Sequence, residues 1–249
     1  MTPSAFAAYL SALAEKARSE ADVIGLVAFG STADTARVDE WSDHDFAWIT
    51  EPGAENRYRN DLSWLPSADG IAFSAVAGHG GVTVVFHDGH VLEFGIASVE
   101  DFAGWAGDRA EVVVGDANVR RAVDAVLARG TAATTIDLGS EIRLALAKLL
   151  IGVGRSRRGE TLSAAGLICD EAVTHLLRAI RERIAAPAEL DPRRRLETVA
   201  PHLATRLEAA CRLAPEEAAR EILAIAEGEL GEELPAEAAV AIRRRLGWS

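Results

Sequence analysis

No apolar run in the chain reaches the roughly 18–20 residues that a bilayer span needs. The N-terminal segment, residues 1–19, is rich in alanine and carries Glu15, Lys16 and Arg18. It lacks the basic start and apolar centre of a secretory signal, so a cytoplasmic location without membrane attachment is expected. Cysteine is scarce: Cys169 and Cys211 are the only two, and both fall in predicted helices. That excludes a disulfide framework and any cysteine-based metal spacing. Lysine is scarcer than arginine, with only Lys16 and Lys148. There are no internal repeats and no low-complexity tail.

Hydrophobic residues make up 49% of the 249 positions, enough for one large domain or two modest ones. Charge is distributed unevenly. Residues 1–135 hold 9 basic and 20 acidic side chains, a net of −11, and the remainder holds 17 and 18, a net of −1. An acidic surface of this kind repels nucleic acid, whose binding depends on neutralising phosphates. It attracts cations, such as magnesium or a polycationic small molecule, and it also serves plain solubility.

Local patterns divide the chain in two. Thr2 and Pro3 read as the cap and first position of a helix to about Arg18, with Phe6, Leu10, Leu13 and Ala17 on one stripe. A strand over 23–29 follows, then a Gly30-Ser31 turn, a short helix or loop to Trp41, and a strand over 45–49. Residues 51–70 are polar and irregular. A strand over 71–77 precedes two strands, 82–86 and 91–96, joined by His87-Asp88-Gly89-His90, an Asp-Gly hairpin with a tip expected in solvent. Ser98 caps a short helix to about Trp105, 111–114 reads as an edge strand, and Asp116 caps a helix to about Ala128. The texture changes at residues 130–135, which sets domains of 1–132 and 133–249.

The second half reads as about five helices. Asp137 caps the first, with Ile142, Leu146, Leu149 and Val153 on one face. Residues 152–159 read as a basic turn. The next helix, over 161–185, is expected to point Leu162, Ala165, Ile168, Ala172, Leu176 and Ile180 inward. Pro201, Pro215 and Pro235 each mark a helix start. The expected class is therefore α+β, a mixed sheet with flanking helices followed by an all-α bundle.

Chemistry concentrates around Gly30-Ser31 and Asp43-His44-Asp45. A Gly-Ser turn lets backbone N–H groups approach a phosphate closely. Carboxylates at i and i+2 on a strand share a face and can hold one metal ion. His44, between them, faces the opposite side and reads as structural. Phosphoryl and nucleotidyl transfer need positioning and charge neutralisation, commonly through two carboxylate-bridged metals roughly 3.5–4 Å apart. Glu93, flanked by apolar residues in a strand, supplies a third carboxylate whose burial a metal would compensate. Trp48 reads as core, while Trp41 or Trp64 could line a pocket beside the site.

Phe29-Gly30-Ser31, Ser42-Asp43-His44-Asp45-Phe46 and Leu92-Glu93-Phe94 together resemble the three-part signature of the DNA polymerase β-like nucleotidyltransferase superfamily. The spacer and the helical second half resemble its antibiotic-modifying branch, the aminoglycoside and lincosamide nucleotidyltransferases. Residues 110–116 are similar to the strand and turn that close the catalytic domain there. The resemblance implies that Gly30 and Ser31 hold the β- and γ-phosphates of an NTP, ATP being the expected one. Ser42 is counted with them as a nucleotide contact. Asp43 and Asp45 would bind two magnesium ions, and Glu93 would complete the second metal site near the acceptor hydroxyl, where it could also act as base. His44 departs from the small or apolar residue usual between the two Asp.

In the antibiotic-modifying branch a Glu and a Lys on the first bundle helix serve as base and triphosphate contact. Here Glu141 and Lys148 stand seven residues apart, nearly two turns, rather than four. For Glu141 the competing reading is a favourable charge in a helix first turn. Glu160 is a weaker candidate. Arg155, Arg157 and Arg158 read as a solvated turn or a triphosphate contact, and Arg193–Arg195 and Arg243–Arg245 as helix-surface charges.

The expected activity is a magnesium-dependent transfer of an NMP group from an NTP to a hydroxyl of a small molecule, with an aminoglycoside or lincosamide as acceptor by resemblance. The acceptor is expected in the cleft between the domains of a monomer or homodimer. Two alternatives stand beside it: a toxin-type nucleotidyltransferase acting on tRNA or protein, and a non-catalytic nucleotide-binding module. The acidic first half argues against tRNA, and three retained carboxylates argue against a dead module.

Overall fold

The computed structural model describes every residue except Thr35, Arg37, His79, Thr135, Pro187, Ala188 and Ser249, and the backbone alone at residues 131–134. It divides into two compact units, Met1–Ala133 and Thr134–Ser249.

The first unit is a six-stranded mixed sheet with helices on both faces. Its strands are β1 (Val23–Phe29), β2 (His44–Thr50), β3 (Ile71–Val76), β4 (Val82–Phe86), β5 (Val91–Ala97) and β6 (Ala110–Gly115), in spatial order β3-β4-β5-β2-β1-β6. β2 and β5 pair in parallel, with Asp45 opposite Glu93 and Ala47 opposite Gly95, and every other pairing is antiparallel. Because side chains alternate along a strand, β2 divides its residues between two cores. Phe46 and Trp48 join the cluster under α1 (Pro3–Ser19) and α3 (Glu55–Asn60). Ala47 and Ile49 join the cluster beneath α4 (Val99–Ala103) and α5 (Ala117–Thr134). A short helix, α2 (Gly30–Ala33), follows β1 directly.

Local chemistry accounts for the helix ends. Thr2 accepts from Ala5 N and Pro3 takes the first position of α1, where a missing N–H costs nothing. Ser98 accepts from Asp101 N at α4, and Asp116 accepts from Asn118 N and Val119 N at α5. α5 continues to Thr134, six residues past the expected end at about Ala128; Thr135 itself lies outside the described residues.

The second unit is helical: α6 (Leu138–Arg157), α7 (Thr161–Ala165), a π segment (Gly166–Ala172), α8 (Val173–Arg183), α9 (Leu196–Val199), α10 (Pro201–Cys211), α11 (Pro215–Leu230) and α12 (Ala236–Leu246). Asp137 caps α6 by accepting from Gly139 N, and Ile142, Leu146, Leu149 and Val153 are buried. Two expectations are corrected here. Residues 152–157 are not a turn but the end of α6; Gly152 lets that helix meet Ile168 so closely that a Cβ would lie 2.5 Å from its Cγ1. Leu162 does not point inward but is exposed, while Ala164 is buried. A π segment inserts extra chain per turn and rotates the apolar stripe, so residues before it fall out of phase with Ile168, Ala172, Leu176 and Ile180 behind it. Among the described residues no helix is long and apolar enough to cross a membrane.

Candidate metal and nucleotide site

Asp43, Asp45 and Glu93 come together at the start of the parallel β2–β5 pair, each offering a carboxylate oxygen within 4.8 Å of the others. Asp43 and Asp45 are half-buried and Glu93 is exposed. Three carboxylates this close repel one another unless a cation lies between them. The donor set is hard oxygen, which suits magnesium.

The chain before the Asp pair is shaped around it. Gly30 has φ of +53°, a region costly for a residue with a Cβ, and a Cβ there would sit 3.0 Å from Asp45 Oδ2. Only glycine brings the β1–α2 junction this close to the carboxylate. Thr32, buried in α2, accepts from Asp45 N at 2.9 Å and donates to Asp43 O at 3.5 Å. One hydroxyl therefore clamps α2 to the Asp-x-Asp segment. Ser42 spends its hydroxyl locally, accepting from Asp39 N and donating to Asp39 Oδ1.

Behind the Asp pair lies a buried imidazole pair. His44 is fully buried, as its place between two outward carboxylates predicts, and its Nδ1 lies 2.7 Å from His90 Nε2. Burial, with His90 as a minor contributor, lowers the His44 pKa to about 4, against a raising effect of the Phe6 carbonyl. Burial likewise lowers that of His90. The hairpin tip is thus corrected: Asp88 and Gly89 are exposed, but His90 turns inward.

A cavity of about 1050 Å³ opens beside Asp45 and Glu93. Its walls include Glu55, Asp101 and Trp105, with Arg59 as the cation among them. Trp105 rests on Gly95 so tightly that a Cβ there would lie 2.1 Å from the ring. Arg59 donates to Asn56 Oδ1 and to the Ile96 carbonyl, and its buried Nε has no partner among the described residues. Among the tryptophans, Trp48 is core as expected. Trp64 does not line the cavity but packs 4.2 Å from Trp48 between ring centroids, and Trp41 stands 85% exposed.

Thr32, His90 and Trp105 carried no sequence signal. Thr32 lacks a motif, His90 looked like a hairpin tip, and Trp105 meets Gly95 only through the fold. Glu141 and Lys148 belong to the second unit and are engaged there. Glu141 accepts from His175 Nδ1 at 2.7 Å with Arg178 at 3.7 Å, and Lys148 pairs with Glu171. Arg157 binds Glu216 and the Leu246 carbonyl, and Arg158 binds Glu160.

No protein-family model and no curated protein matches the sequence. Among solved structures, a nucleotidyltransferase-like protein from Exiguobacterium sibiricum 255-15 is similar with 12% identity and a TM-score of 0.39, covering 96% of this chain and 80% of that one. An aminoglycoside 6-adenyltransferase from Bacillus subtilis is similar with 12% identity and a TM-score of 0.29, covering 97% and 91%. Likenesses of this size lend no weight to a function, which has to stand on the three carboxylates and the chain that holds them.

Proposed function

We propose that the first unit is a magnesium-dependent nucleotidyltransferase domain of the DNA polymerase β-like kind, moving an NMP group from an NTP to a hydroxyl of a small molecule. The observation that carries this reading is the Asp43, Asp45 and Glu93 cluster, with Gly30 closed down on Asp45. Bound magnesium supplies charge neutralisation of the triphosphate and lowers the pKa of the attacking hydroxyl. Asp43 and Asp45 would hold the magnesium, and the Gly30–Ser31 backbone would offer N–H groups on the β1 side for phosphate oxygens. Glu93, on the β5 side, faces the cavity and is placed to take the acceptor's proton. Glu55 and Asp101 among the walls of that cavity favour a cationic acceptor, as an aminoglycoside is. Glu141 and Lys148 enter by motif resemblance alone, and the reading does not depend on them.

The test is pyrophosphate release from each of the four NTPs with magnesium, against pooled aminoglycosides and lincosamides, with Asp43→Ala/Asp45→Ala as the blank. Release that requires both a pool and the Asp pair is expected. Silence with magnesium-ATP still bound would move the acceptor to another class, such as tRNA or protein. Silence without nucleotide binding would overturn the enzyme reading in favour of a non-catalytic module.

A further inference from the structure

His44 and His90 form a hydrogen-bonded chain whose direction is fixed by its end. The Phe6 carbonyl can only accept, and His44 Nε2 lies 3.0 Å from it, so Nε2 carries the proton. His44 Nδ1 is then a bare acceptor, and His90 Nε2 must donate to it across 2.7 Å. The surroundings are aromatic. Phe6 stacks on His44 at 3.6 Å, Phe86 stacks on His90 at 5.3 Å, and Tyr9 lies 5.1 Å and 4.7 Å from the two rings. Two apolar side chains would fill this space without the cost of desolvating two imidazoles. What the polar pair adds is direction: a buried hydrogen-bonded network holds its members in one orientation.

That orientation matters because of where His44 sits. It is the residue between Asp43 and Asp45, so any rotation of its backbone turns both carboxylates. His90 immediately precedes β5, which carries Glu93 in parallel register with Asp45. Thr32 grips the same segment through its backbone from α2. We propose that His90 is a positioning residue for the carboxylate site, acting through His44 to fix the geometry of Asp43 and Asp45 for divalent cation binding. This rests on the metal-site reading above and adds a residue to it.

The test is Mn²⁺ binding to the full chain, measured by the loss of the free-ion electron paramagnetic resonance signal, with far-ultraviolet circular dichroism on every variant. His90→Gln places an amide N–H where Nε2 lies and keeps the donor. His90→Asn ends short of His44, and His90→Leu has no donor. Wild type and His90→Gln are expected to bind Mn²⁺ within about threefold of each other, and His90→Asn at least tenfold more weakly with its helix and sheet signal intact. His90→Leu repeats the loss if it folds, and the Asn/Gln contrast decides the matter if it does not. Equal affinity of the Asn and Gln variants would overturn the positioning role while leaving the metal site in place. Wild type binding no better than Asp43→Ala/Asp45→Ala would overturn the metal-site reading, and the role of His90 with it.

Discussion

Gly30 shows how much a single missing Cβ can hold together. Its positive φ and its contact with Asp45 Oδ2 both forbid a side chain. Gly30→Ala is expected to cost about 1–2 kcal/mol of stability from backbone strain. Displacing the carboxylate should reduce nucleotidyl transfer by about 100-fold, since a misplacement near 1 Å has that order of effect. Thermal unfolding and pyrophosphate release check the two parts separately, and activity retained in a strained variant would show that Gly30 serves only the turn. At this scale the sequence displayed the chemistry but not its supports. The clustering of Asp43, Asp45 and Glu93 was legible because the Asp pair has the i, i+2 spacing that shares a face and Glu93 stands between apolar strand residues. Thr32 and His90 were not, because a hydroxyl or an imidazole declares its partner only when strands distant in sequence are brought side by side.

Among the elements, strands and caps were legible, and helix phase was legible only where the helix is regular. Alternation and an Asp-Gly turn placed β4 and β5 within a residue of their ends. The stripe of Ile142, Leu146, Leu149 and Val153 was legible because α6 is regular. Leu162 was misplaced because a π segment follows it, and no residue type signals such an insertion. Arg157 illustrates the same limit: a basic cluster reads as solvated, yet it joins the end of α6 to the start of α11 through Glu216, which also accepts from Trp248 Nε1 at 3.0 Å. The Arg157 guanidinium, helped by Trp248, holds the Glu216 carboxyl down to about 2 from an ordinary 4.5. A depressed carboxylate pKa stabilises the fold above the unfolded value and ceases to as pH falls through the folded one. Glu216→Gln should therefore melt earlier than wild type at pH 7, with the gap closing between about pH 4.5 and pH 2. A gap independent of pH would show that the pair contributes through packing alone.

For the whole molecule, each unit has a core of its own. The cluster from Ile142 to Trp248 lies within the second unit, and the two clusters flanking the sheet lie within the first. Residues 136–249 expressed alone are expected to give a helical spectrum and a single cooperative thermal transition. A fragment that is helical but melts without cooperativity would show that this core needs the first unit to close it. The charge asymmetry follows the same division, and the net −11 of residues 1–135 falls in the unit that carries the carboxylate site.

The parallel pairing of β2 with β5 also governs when the site comes into being. β1 and β2 are neighbours along the chain, but Asp45 meets Glu93 only after the intervening α3, β3 and β4 have been placed. Pairings of high sequence separation close slowly, because loop entropy is lost before any contact compensates it. The three carboxylates are thus brought together only when β2 has paired with β5. A chain in which that pairing has not formed therefore holds only the Asp43–Asp45 half of the cluster, so cation binding, on the proposed reading, would report the completed β2–β5 pair.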